Sequence, residues 1–157
     1  MDDPIRTSFD GRTGVARLYL DRPGQRNPLS TSMMRAVTAA LQGFGKDEAV
    51  RVVVLSAAGP VFSAGHDLSE MIGRTLEEER EIFEVCTEMM DTVQSIPQPV
   101  IAAAQGPAIA AGCQLAASCD LVVASSTAVF GTPGVRIGLF CSTPMVALSR
   151  AVGRKRA

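Results

Sequence analysis

Two slim loops, "FSAGHDL" at residues 62–68 and "GPAIAAGCQL" at residues 106–115, carry the clearest chemical possibility in this chain. Each follows an apolar run and leads into a helical start. Small side chains let a ligand approach the main chain closely. N–H groups at a helix start point outward, with the positive end of the helix dipole behind them. Two such N–H groups converging on one oxygen make an oxyanion hole. The same Gly and Ala residues would equally serve close helix-to-sheet packing, which needs no ligand. Other reactive side chains are sparse. Cys86, Cys113, Cys119 and Cys141 form no CxxC pair, and with a single histidine, His66, no zinc or other metal cluster is expected. The thiols read as reduced.

The elements that must hold these loops follow from pattern. "GVARLYL" at residues 14–20 is rich in strand formers and can pair with "IRTSF" across the turn "DGRTG". Met33, Val37, Ala40, Leu41 and Phe44 fall at helical spacing, with Ser30 or Thr31 available as N-cap and Gly45 near the stop. "RVVVLSAA" at residues 51–58 has the character of a buried strand. A longer helix is expected from Leu76 to Ile96, where Ile82, Cys86, Met89, Val93 and Ile96 make one stripe and "EEERE" faces water. "PQPVIAAAQG" gives a further strand, the loop at 106–115 turns into a helix, and "DLVVAS" returns as a second buried strand. A succession of strand, loop, helix and strand argues for an α/β architecture whose site lies where loops leave the strands.

Composition restricts the class of function. A chain of 157 residues can bury a core of its own, so residues 1–157 are read as a single domain. Hydrophobic residues are 46% and charged residues 20%, a globular composition. With a net charge of -1 and basic residues spread along the length, neither nucleic acid nor an anionic membrane is an expected partner. The basic end "RAVGRKRA" reads as an exposed helix end more readily than as a binding patch. "MDDPIRTSFDG" lacks the basic start and apolar core of a signal peptide, and no apolar run is long enough for a membrane span. A cytoplasmic location is the expectation.

Three stretches make the reading specific: "LYLDRPGQRNPLS", "VVVLSAAGPVFSAGHDLSEM" and "PVIAAAQGPAIAAGCQLAASCDLVVASSTAVFGTPGVRIGL". Their order and spacing resemble the enoyl-CoA hydratase/isomerase (crotonase) family over nearly the whole chain. Within it, "FSAGHDL", "AAGCQLAASCD" and "TPGVRIGLFCSTP" are similar to the enoyl-CoA hydratase domain-containing protein 3 group. The resemblance implies an α/β, crotonase-like spiral of ββα units whose loops bind an acyl-CoA thioester. It also implies a C-terminal helical trimerisation segment, apparently absent from this sequence, and a homo-oligomer, trimer or hexamer, in the complete protein. Coenzyme A would enter as part of the substrate, with no covalently bound cofactor.

By position in the family, the oxyanion donors would be the backbone N–H groups of His66 and Ala111. The His66 imidazole would then border the pocket or act as acid or base. Ala64 matches the position whose main chain contacts the adenine of coenzyme A. Gly24, Gln25 and Arg26 match the segment lining the nucleotide end, where Arg26 could pair with a phosphate or stay solvated. Asp67 and Leu68 continue the Ala64 loop toward the cofactor, and Asp67, like Asp120, also has the look of a structural cap or brace. Cys141 falls near a position that faces the acyl group in some members, as a possible nucleophile or a small buried residue.

Family hydratases hold the attacking water between two glutamates, and this chain has neither. Gln114 stands at the first position and Gly134 at the second. An amide cannot take a proton near neutral pH, and glycine supplies no side chain. The expectation is therefore a thioester-binding, oxyanion-stabilising protein with weak or absent classical hydratase activity. Its alternatives are an acyl-CoA decarboxylase or thioester hydrolase, and a non-catalytic CoA-ester-binding subunit.

Overall fold

The computed structural model describes residues 3–157. β1 (Ile5–Asp10) and β2 (Val15–Leu20) form the expected antiparallel hairpin, Asp10 facing Val15. From β2 onward the sheet is parallel. β3 (Val52–Ala57), β4 (Val100–Ala104) and β6 (Leu121–Ala124) complete the order β1-β2-β3-β4-β6. A second, smaller parallel sheet pairs β5 (Ala108–Ile109) with β7 (Phe130–Gly131), and a bridge from Ser63 to Ala108 extends it. The repeated unit is thus a long strand, a short strand and a helix, as the resemblance implies.

Period-two alternation decides which strand residues face inward: Ala16, Leu18 and Leu20 on β2, Val53 and Leu55 on β3, Val100 and Ala102 on β4 are all buried. Against them lie α1 (Thr31–Lys46), with Met33, Met34, Val37 and Leu41 buried, and α2 (Leu76–Ser95), with Met89 and Val93 buried. Truncating a side chain such as Leu55 to alanine would cost about 2–5 kcal/mol.

Helix starts are fixed by caps. Ser30 is the N-cap of α1, its Oγ accepting from the Met33 N–H at 3.2 Å. The Glu70 carboxylate sits at the same end and accepts from both the N–H and the hydroxyl of Thr31, each at 2.8 Å. Thr75 and Glu78 form a reciprocal capping box that begins α2. Gly45 lies inside α1, where a Cβ would stand 3.0 Å from Ile96, so close packing against the end of α2 accounts for it.

One strand departs from expectation. β6 is the last strand of the large sheet and its four residues are exposed, Leu121 at 60% and Val123 at 66%. An apolar run alone does not tell a buried strand from an uncovered edge. Helices α3 (Ala111–Ser118) and α4 (Ser142–Val152) close the described chain.

Candidate functional site

Three stretches of loop run side by side and are stitched by main-chain hydrogen bonds. Ala64 N–H donates to the Arg26 carbonyl at 3.0 Å and Leu29 N–H to the Gly65 carbonyl at 2.8 Å. Phe62 N–H donates to the Pro107 carbonyl at 3.0 Å, and Ile109 N–H to the Ser63 carbonyl at 2.9 Å. Asn27 is the bracket beneath them. Fully buried, it accepts from Arg22 N–H and donates to the Ala58 and Val61 carbonyls, each bond 2.8 Å. A buried amide with its bonds satisfied is a rigid tie.

Two glycines let the loops approach this closely. A Cβ on Gly112 would stand 2.6 Å from the Ser63 carbonyl oxygen. Gly65, at φ +94°, turns where other residues rarely can, and a Cβ there would lie 3.0 Å from the Ile109 carbonyl oxygen. The slim composition therefore does serve packing. It also leaves donors over: neither the His66 N–H nor the Ala111 N–H has an acceptor among the described residues. The parallel bridge between Leu29 and His66 uses the Gly65 carbonyl and leaves the His66 N–H out. Ala111 is 2% exposed and follows Ala110, whose φ of 51° is unusual for a residue with a side chain. A buried N–H without a partner is rare in folded chains, and strained backbone beside it is a feature of ligand sites.

Both residues line one cavity of about 500 Å³, whose wall also includes Ala64, Phe83, Gly134 and Cys141. Another cavity, of about 480 Å³, lies beyond Phe140 and Cys141 against α4 and touches neither loop. The Phe83 ring meets the His66 ring edge-on, centroids 5.3 Å apart. Both imidazole nitrogens are buried without a hydrogen-bond partner among the described residues. Burial pushes the His66 pKa below its ordinary value, opposed in part by the Leu29 backbone and the Glu70 carboxylate. Burial also pushes the Cys86 thiol up to about 11 and the Cys119 thiol up to about 12, the latter helped by Asp120. These thiols are poor nucleophiles. Among the described residues, no group of three or more His, Cys, Asp or Glu could hold a metal ion.

The description "enoyl-CoA hydratase/isomerase" belongs to the family profile that matches residues 10–157. The chain belongs to the enoyl-CoA hydratase/isomerase family. Rat enoyl-CoA hydratase domain-containing protein 3, mitochondrial, is 45% identical over 156 residues, which are 99% of this chain and 52% of the rat protein. The human protein of the same name is 45% identical over 159 residues. A crystal structure of enoyl-CoA hydratase from Mycobacterium smegmatis superimposes with a TM-score of 0.94 at 48% identity, covering 99% of this chain and 60% of that one. The crystal structure of human enoyl-CoA hydratase domain-containing protein 3 gives 0.93 at 43%, covering 98% and 60%. This chain spans about half the length of the curated relatives it matches.

Within this family member, the positions expected from sequence do not all come together. His66, Ala111, Ala64, Leu68 and Gly134 meet at the cavity. Gly24 and Gln25 lie on the short 3₁₀ turn Pro23–Gln25, exposed, and Arg26 follows at φ 66°. The Arg26 side chain has no hydrogen bond or ion pair among the described residues. Gln114 lies one turn into α3, outside the cavity wall, its Oε1 buried without a partner. Asp67 is engaged locally, its Oδ1 accepting from the Ser69 N–H and hydroxyl at 3.0 and 2.6 Å. Asp120 ties β6 to β4, accepting from the Val100 N–H at 2.7 Å.

Sequence reasoning missed Phe83, Asn27 and Glu79. Glu79 was expected to face water with the rest of "EEERE", yet it is half-buried and lines the cavity. Its spacing held the signal. Glu79 stands four residues before Phe83 and three before the buried Ile82, on the inward face of α2.

Proposed function

We propose that this chain binds an acyl-CoA thioester with its carbonyl oxygen between the N–H groups of His66 and Ala111, where an enolate-like oxyanion would be stabilised. The observation that carries the reading is that His66 and Ala111, two residues lining one cavity, both have N–H groups without an acceptor among the described residues, with Gly65 packed against the Ala111 nitrogen. The acyl group would occupy the apolar cavity. The cofactor end would run toward Gly24, Gln25 and the unpaired Arg26, whose guanidinium suits a phosphate. Because the Ala64 N–H is already donated to Arg26, an adenine at Ala64 would meet its carbonyl.

The glutamates that hold water in family hydratases are replaced by Gln114 and Gly134, and Gln114 does not reach the cavity. That favours a reaction in which the oxyanion hole does most of the work, such as decarboxylation or thioester hydrolysis, over classical hydration. The test is to titrate the chain with crotonyl-CoA, free crotonate and coenzyme A, and to assay hydration beside turnover of malonyl-type thioesters. The reading expects crotonyl-CoA to bind tighter than either fragment, with slow hydration. Equal binding of coenzyme A and crotonyl-CoA would remove the carbonyl contact from the account.

A further inference from the structure

We propose that Glu79 is the base that takes the α-proton of the bound acyl thioester, an inference that rests on the thioester oxygen sitting at His66 and Ala111 as above. Among the described residues, the one carboxylate in the cavity wall is that of Glu79. The capping box at Thr75 and Glu78 fixes the first turn of α2 and so fixes where Glu79 stands. Four residues on, Phe83 shares its face and touches the His66 ring, so the carboxylate is carried on the element that packs against the oxyanion loop. Its neighbours are engaged elsewhere: Glu70 holds Thr31, Glu78 holds Thr75 and Arg74, and Glu81 pairs with Arg35. The Glu79 carboxylate has no hydrogen bond or ion pair among the described residues.

The other groups in the wall are less suited. Both His66 ring nitrogens are shielded. Arg136 also lines the cavity, but a guanidinium offers donors and no acceptor. Cys141 lines the wall as a thiol, a group better suited to nucleophilic attack than to taking a proton from carbon. In the proposed step the α C–H bond breaks and its proton goes to a Glu79 carboxylate oxygen. The C–H electron pair becomes the enolate C=C bond, and the carbonyl π pair moves onto the oxygen facing the His66 and Ala111 N–H groups. Nothing is oxidised or reduced, and return of the proton from Glu79 regenerates the thioester.

The experiment incubates the full chain with butyryl-CoA in D₂O and follows deuterium at the α-carbon by mass, with butyryl-CoA binding measured separately by calorimetry. The unmodified chain should exchange the α-protons. Glu79→Gln should slow exchange by about 100-fold or more with binding unchanged, since a positioned base contributes about 10² to 10⁴ in rate. Glu79→Asp should retain part of the rate, as a carboxylate on a shorter side chain can still accept the proton. Glu77→Gln, an exposed change in the same turn, should behave as the unmodified chain. Undiminished exchange in Glu79→Gln, or an unmodified chain that binds butyryl-CoA without exchange, overturns the role of Glu79 while leaving the thioester reading intact. Failure of butyryl-CoA to bind the unmodified chain overturns both.

Discussion

A Cβ placed on Gly65 would lie 3.3 Å from the backbone nitrogen of Ala111, so one loop's glycine is the spacer that sets the other loop's N–H. Gly65→Ala would combine that crowding with a φ of +94°, which an alanine rarely adopts. The expected cost is about 1–3 kcal/mol, read as a lower urea midpoint. Crotonyl-CoA binding should weaken by more than the stability loss explains, because the donor at Ala111 would move.

Restoring the hydratase carboxylates should fail, for a steric reason. Gly134 is not at positive φ, so its backbone conformation would accept a side chain. Its space would not: a Cβ there would stand 2.8 Å from the Leu139 carbonyl oxygen and 2.5 Å from the Cys141 sulfur. The sulfur can rotate away, but the carbonyl belongs to the main chain. Gln114→Glu with Gly134→Glu is therefore expected to lower the melting temperature and leave hydration of crotonyl-CoA slow. A stable double variant with fast hydration would contradict this geometry.

His66 gives the protein an acid sensitivity whose sign is fixed by burial. Its folded-state pKa is depressed below the ordinary 6.5, so the unfolded chain binds a proton more readily. Stability from this group is fully present above that ordinary value. It falls as pH drops through it, and levels off below the folded-state pKa. His66→Gln should flatten the melting temperature between about pH 7 and pH 5, where few other groups titrate. An equally steep fall in the variant would show that another group is responsible.

The four cysteines should separate on alkylation. Cys86, Cys113 and Cys119 are buried, with pKa values raised by that burial, whereas Cys141 is half-buried at the cavity wall. Iodoacetamide on the native chain should label Cys141 first, and saturating crotonyl-CoA should slow that labelling, as peptide mass mapping would show. Preferential labelling of Cys119 would mean that the α3 core opens readily.

Much of this arrangement was legible in the sequence because its physics is local. Ser30 next to an amphipathic stripe defines α1, alternation in "GVARLYL" defines β2, and the Gly and Ala of the two loops already promised close approach. What the sequence hid depends on tertiary neighbours. "LVVA" reads alike whether covered or at an uncovered edge, so the exposure of Leu121 and Val123 was not visible. Glu79 was masked by the charged run around it, although its spacing to Ile82 and Phe83 pointed inward. Gln114 sits at the expected sequence position on α3, but a half-buried position on a helix does not reveal which space its amide enters.

The central claim is that backbone N–H groups at His66 and Ala111 grip a thioester carbonyl, and the carbonyl stretch of bound crotonyl-CoA labelled with ¹³C at C1 reports this directly. Ala111 is the first residue of α3, where the helix itself uses no N–H, so Ala111→Pro removes one donor without removing a helix hydrogen bond. Difference infrared spectra should show the stretch of the bound thioester moved to lower frequency in the unmodified chain and in Ala111→Gly. In Ala111→Pro, with its fold checked by circular dichroism, it should return toward the solution value. An unshifted carbonyl in the unmodified chain, or the same shift in a folded Ala111→Pro, would contradict the account.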